Sequence, residues 1–182
     1  MIPFSTFDAA LPRDQFLSRY GTPGDTENWD GQRARVSLTE PQLALLKSFV
    51  RRTPTVVLAG AWCGDCAFHM AVLEKLAEAA PVLQIRYLDR DAHPEIQAQL
   101  QINGGNRVPV AVFFSEDGHE TARFGEKTLS EYRRKVKGLV PDAVLPPAGD
   151  RFAEAVADWL EVVERVQWIL RASPRLRRLH AD

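Results

Sequence analysis

The chain holds only two cysteines, and they stand three residues apart in the run Ala61-Trp62-Cys63-Gly64-Asp65-Cys66. On a helix, residues at i and i+3 share a face. Their Cα atoms then lie roughly 5 Å apart, inside the range of about 4.4–6.8 Å that a disulfide spans. Cys63 and Cys66 can therefore bond without large backbone movement. A cysteine in the first turn also meets unpaired backbone N–H groups and a partial positive charge. Both favour the thiolate, which is the attacking species in disulfide exchange. This makes Cys63 the candidate nucleophile and Cys66, one turn further in, the candidate resolving thiol. Two other readings use the same residues. His69 extends the pair to C-x2-C-x2-H, but a structural zinc site needs four ligands and no second CxxC follows. Two ordinary buried thiols are the other reading, and a place between a strand and a helix argues against it.

The elements around the pair must hold it at a strand-to-helix junction. Thr55–Ala59 is a short apolar run that suits a buried strand. A helical pattern follows from Cys63 to Ala80 and stops before Pro81. Val82–Leu88 alternates as a strand, and His93–Ile102 reads as a short helix. Val110–Phe114 is a strand, with a turn at Glu116–His119 into a strand at Glu120–Phe124. Thr128–Lys137 closes as a helix, so the order is β-α-β-α-β-β-α.

Three regions result: a helical extension at 1–52, a core at 53–140, and a helical extension at 141–182 packed on it. The first carries Phe4, Phe7, Phe16 and Tyr20, then a Gly/Asp/Thr/Pro-rich break at Gly21–Gly31. Thr39 and Gln42 have capping-box spacing, with Leu43, Leu46 and Val50 on one helical face behind them. The third region opens with Pro141, Pro146 and Pro147. Asp150–Arg171 then reads as one helix with a wide apolar face from Phe152 to Leu170. That face suits docking on the core or a homodimer contact. Arg175, Arg177 and Arg178 read as a solvated basic end.

The 182 residues are 45% hydrophobic and 26% charged, with a net charge of −1, so neither nucleic acid nor an anionic membrane is an expected partner. No stretch approaches the ~18 apolar residues of a membrane span, and the N-terminus lacks a secretory pattern. A cytoplasmic protein is expected. A secreted disulfide scaffold would carry more cysteines at wider spacing.

The apolar strand Thr55–Ala59, the motif Trp62-Cys63-Gly64-Asp65-Cys66, Val108-Pro109 before a strand and Gly125 after the last strand resemble the thioredoxin superfamily. The resemblance covers about Thr53 to Gly138 and implies an α/β fold with a central mixed sheet flanked by helices. It implies a cis Val108–Pro109 bond facing the cysteines, with backbone groups of Val108 offered to an extended substrate. Trp62 and Gly125 would line the same groove. The flanking helices do not resemble the minimal members of that group.

Three departures bear on the chemistry. The resemblance places a buried aspartate six residues before the first cysteine, where this chain has Val57. Thiol activation must then use water or another group. Gly64-Asp65 replaces the usual Gly-Pro. Asp65 favours the helix start but repels a Cys63 thiolate, which implies a less acidic thiol than in strong oxidants and a poise toward the reducing end. Asp65 and His69 lie at i and i+4 and can interact, so His69 is a candidate proton relay for Cys66. The loop Asn103–Arg107 is longer than in minimal members. Its Arg107 can favour the thiolate or bind an acidic low-molecular-weight thiol.

The expected function is a thiol–disulfide oxidoreductase that reduces protein disulfides with electrons from a dithiol donor. No metal or organic cofactor is called for. The alternative is a redox-sensing or protein-binding module with little turnover.

Overall fold

The structure is a computed structural model describing residues 1–182. Four strands, β1 (Thr53–Ala59), β2 (Leu83–Asp89), β3 (Val110–Phe114) and β4 (Glu120–Gly125), form one sheet in the order β2-β1-β3-β4. Nine helices surround it: α1 (Ser5–Ala9), α2 (Arg13–Tyr20), α3 (Pro23–Ala34), α4 (Glu40–Lys47), α5 (Gly64–Ala79), α6 (Pro94–Gln99), α7 (Leu129–Leu139), α8 (Arg151–Ala172) and α9 (Pro174–His180).

All seven residues of β1 are buried, as an apolar run between two neighbouring strands requires. β1 runs parallel to β2, with Val57 opposite Tyr87, and antiparallel to β3, with Val57 opposite Ala111. The parallel pair needs a crossover, and α5 supplies it. β3 and β4 form a hairpin whose turn contains Gly118 at φ 87°. The sheet is therefore mixed, in the expected element order.

Helix α5 carries an unbroken buried run from Cys66 to Glu74. A helix covered on one side only would show a stripe. The continuous run arises because α3, α4 and α8 pack on the faces that β2 leaves open. The terminal helices and the sheet share one hydrophobic core. Phe16, Trp29 and Tyr87 form an aromatic cluster with centroids 5.3–5.9 Å apart, tying α2 and α3 to β2. Leu11 exchanges two backbone hydrogen bonds with Tyr87, which covers part of the β2 edge. On α8, Gln167 donates to the Arg51 carbonyl and Thr53 Oγ1, both at 2.8 Å, and accepts from Arg51 N–H. The apolar face of α8 thus docks on the core.

The structure corrects several sequence expectations. Gly21–Gly31 is not a break, because most of it is α3. Thr22 Oγ1 accepts from Asp25 N–H, and Asp25 in turn accepts from Thr22 N–H. With Pro23 in the first turn, this capping box starts the helix despite Gly24 and Gly31. The helix expected at His93–Ile102 spans only Pro94–Gln99. Asn103 (φ 48°) and Gly104 (φ 69°) instead make a turn bridged between Ile102 and Gly105. Val50 lies beyond the end of α4 and is exposed. The basic end is helix α9, with Leu176 fully buried and Arg175 paired with Asp117. Elsewhere the boundaries differ by one or two residues.

Because α8 shares the core, Leu170→Ala is expected to cost about 2–5 kcal/mol of stability while unfolding remains a single transition. Urea denaturation followed by two probes checks this. A loss below ~0.5 kcal/mol would mean that α8 docks without contributing to the core.

Candidate active site

The geometry at the cysteines begins with the end of β1. Gly60 follows it, and a Cβ there would come within 2.8 Å of the Trp62 indole. Only glycine lets Trp62 fold back over the chain. Trp29 on α3 donates to the Ala61 carbonyl at 2.9 Å, and Cys63 N–H donates to the Gly60 carbonyl at 3.0 Å. These bonds fix the turn and leave Cys63 as the N-cap of α5. Its Sγ accepts from Cys66 N–H at 3.4 Å, the role a serine or aspartate oxygen plays at most helix starts. Cys66, one turn in, is fully buried, and both thiols are free.

The two thiols are driven apart electrostatically. Cys63 is lowered from 9.0 to about 7, first by the Cys66 thiol hydrogen bond. Burial and the Asp65 charge oppose this, while the N–H groups of Cys66 and Asp65 assist it. Cys66 is pushed well above its ordinary value by burial, then by its hydrogen bond to Cys63 and the Cys63 charge.

Across from the pair, the Val108 carbonyl lies 3.9 Å from Cys63 Sγ, and the Val108–Pro109 bond is cis. A Cβ at Gly125 would fall 2.4 Å from the Pro109 carbonyl oxygen, so this position admits only glycine. Trp62 is 52% exposed and borders Cys63. Trp62, Val108, Pro109 and Gly125 are thus gathered near the pair.

The polar residues singled out in the sequence have other partners. Asp65 pairs with Lys127 rather than His69. This ion pair mutes the repulsion between Asp65 and a Cys63 thiolate. Arg107 donates to Glu126 at 3.0 Å, and Tyr132 donates to the same carboxylate at 3.1 Å. His69 is fully buried, and its Nδ1 accepts from Trp159 Nε1 at 3.3 Å. Burial lowers it to about 4, with Lys127 and Arg151 assisting and Asp65 and Glu131 opposing. With Nδ1 engaged and burial disfavouring its protonated form, His69 is a weak base. His69 also gathers no third ligand with the cysteines: no group of three His, Cys, Asp or Glu side chains suits a metal ion.

Val57 is fully buried, so no acid stands on β1. Beside it in register, Tyr87 donates to Glu74 Oε1 at 2.5 Å, and Arg13 Nε lies 3.2 Å from Glu74 Oε2. Burial raises Glu74 above the usual carboxylate range. No local motif marks this cluster, because its members come from α2, α5 and β2.

A cleft of about 490 Å³ adjoins Cys63, walled by Gln32 of α3, Trp62, Phe68 and Arg151 of α8. Arg151 lies over the Phe68 ring at 3.9 Å, and Arg90 over Trp62 at 4.7 Å. A larger hollow of about 620 Å³ under the 140–148 connector holds no cysteine.

A family model described as thioredoxin matches residues 11–136. The chain belongs to the thioredoxin family. Thioredoxins of Mycobacterium bovis and Mycobacterium tuberculosis are 32% identical over 83 residues, covering 44% of this chain and 68% of theirs. A Chlamydia muridarum thioredoxin is 39% identical over 62 residues, covering 34% of this chain and 57% of its own. The crystal structure of PA1234, a Pseudomonas aeruginosa protein of unknown function, aligns with TM-score 0.72 at 19% identity. That alignment covers 91% of this chain and 99% of the other. An HIV epitope scaffold aligns with TM-score 0.60 at 18% identity, covering 89% and 90%. The structural likeness extends well beyond a thioredoxin core into the added helices.

For this thioredoxin-family pair, the rate of Cys63 alkylation by iodoacetamide is expected to rise with pH along one titration centred near 7. The thiolate fraction grows as pH passes that value, whereas an ordinary thiol would titrate near 9. Mass spectrometry should find Cys66 unmodified under the same conditions. A midpoint above 8.5 would remove the electrostatic account of the N-cap position.

Proposed function

We propose that the chain is a thiol–disulfide oxidoreductase that reduces protein disulfides. The observation that carries this reading is the seat of Cys63: partly buried, capping α5 and holding a hydrogen bond from Cys66 N–H. A thiolate there needs no cofactor to attack. It breaks a substrate S–S bond and forms a mixed disulfide, and the departing sulfur leaves with the electron pair and takes a proton. Cys66 then attacks the Cys63 sulfur. The second substrate sulfur leaves, and a Cys63–Cys66 disulfide remains. A dithiol donor returns two electrons and two protons. Val108 lies outside the β3 ladder and adjoins Cys63, so its backbone can receive an extended substrate segment. Trp62 offers that segment an exposed apolar surface. The reducing direction agrees with a cytoplasmic setting.

A second reading, a redox-sensing or binding module with little turnover, draws support from Val57, which leaves Cys66 without a carboxylate on β1.

Reduction of insulin by dithiothreitol separates the two. Wild type is expected to turn over repeatedly, Cys63→Ser to be inactive, and Cys66→Ser to accumulate a mixed disulfide through Cys63. One oxidation followed by a stall would favour the sensor.

A thiol of about 7 sits at the upper end of the range for activated cysteines. The Cys63–Cys66 couple is therefore expected nearer about −270 mV than the roughly −120 mV of strong oxidants. Equilibration with glutathione or dithiothreitol buffers measures it. A value above about −180 mV would rule out the reducing poise.

A further inference from the structure

Arg151 walls the cleft beside Cys63, and aromatic rings at or behind that wall carry two further guanidinium groups. Arg151 lies over Phe68 at 3.9 Å, and Phe68 packs on Phe152 with centroids 5.0 Å apart. Arg35, at the end of α3, lies over Phe152 at 4.6 Å. On another border Arg90 covers Trp62. Stacking holds a guanidinium plane while leaving its N–H edge free for a carboxylate.

The nearby acids are already engaged. Asp65 pairs with Lys127, Asp91 with Arg90, and the buried Glu131 with both Arg151 and Arg134. Arg151 gives Glu131 its Nε and Nη2, leaving Nη1 free, and the exposed Arg35 stacks on Phe152 rather than on an acid. Gln32 adds a second polar feature. Its Oε1 is buried without a hydrogen-bond partner in the cleft wall. A ligand N–H would satisfy it. The cleft, at about 490 Å³, has the size of a small-molecule site.

From this arrangement we propose that the cleft recognises the non-sulfur end of a low-molecular-weight disulfide bearing a carboxylate and an amide or ammonium group. Arg151 and Arg35 take the carboxylate, and Gln32 takes the N–H. The inference rests on the oxidoreductase reading and names a substrate class for the same pair. Cys63 attacks one sulfur of the disulfide RSSR and forms Cys63–S–R, and RS⁻ departs with the electron pair. Cys66 then displaces the second RS⁻. The protein loses two electrons and two protons, and RSSR gains them as two RSH.

The test uses the reduced full chain in single turnover against three disulfides of similar length. These are 3,3′-dithiodipropionate (anionic), 2-hydroxyethyl disulfide (neutral) and cystamine (cationic). Each rate is divided by that of dithiothreitol with the same disulfide, which removes intrinsic reactivity. Wild type is expected to prefer the anionic compound over the neutral one by at least about tenfold, as a charge-assisted bidentate contact provides. Arg151→Gln and Arg35→Gln should each shrink that preference while leaving the neutral rate within about threefold. Arg35 is exposed and bonds no acid, so its variant tests the idea even if Arg151→Gln unfolds. Equal normalised rates in wild type, or a preference untouched in both variants, would overturn the proposal. So would a preference seen only with a disulfide of Asp-flanked cysteine peptides, which would assign the cations to an acidic protein segment. No reaction with any of the disulfides would instead remove the oxidoreductase reading beneath it.

Discussion

A sulfur atom caps helix α5, and much of the site's chemistry follows from that hydrogen bond. An N-cap acceptor offsets the orphan N–H groups of the first turn. Sulfur accepts such a bond weakly when neutral and strongly when charged, so the helix start favours the thiolate over the thiol. The cap holds only while the preceding turn is rigid. Gly60, the Trp29–Ala61 bond and the Cys63–Gly60 bond make it so. The reactive geometry therefore depends on α3, an element outside the strand-and-helix core, because α3 carries Trp29.

The added helices also set the local dielectric. Trp159 of α8 packs on the buried His69, and burial lowers that group as it raises the buried Cys66. Burial of a titratable group disfavours its charged form whatever its sign. The result is a site with one charge-ready sulfur at its surface and neutral groups behind it. Asp65 does not spoil this, since Lys127 sits against it. The extensions that make the chain larger than a minimal thioredoxin thus act on the active pair through burial, hydrogen bonding and the cations they bring.

Much of this was legible in the sequence where the signal is local. The β1 run, the CxxC spacing and Val108-Pro109 each fall within a few residues, and the structure places them together. The α3 helix was not legible, because Gly24 and Gly31 resemble a loop while the decisive capping box hides in Thr22–Asp25. His69 was legible as a neighbour of Asp65 by helical spacing. Its true partner Trp159 lies 90 residues away, beyond any periodicity. Arg107 is legible as a loop cation, but its partner Glu126 lies 19 residues away and carries no local signal. Gln32, Arg90, Lys127 and Arg151 carried no motif, because only the packing of α3 and α8 and the fold of two loops bring them to Cys63.

The missing acid at Val57 acquires a physical answer from the coupling between the two sulfurs. Cys66 is raised by burial and, in addition, by the hydrogen bond and charge of Cys63. In the proposed exchange, a mixed disulfide consumes the Cys63 charge. Both contributions from Cys63 then vanish together, leaving burial and the weaker Asp65 charge against the Cys66 thiolate and the Gly60 backbone hydrogen bond in its favour. The resolving thiol becomes easier to ionise at the step that needs it and stays protonated before that step. A fixed carboxylate on β1 would accept its proton at every stage. The Cys63 charge acts only before substrate is bound, so in the proposed exchange the coupling of the two sulfurs favours resolution after attack.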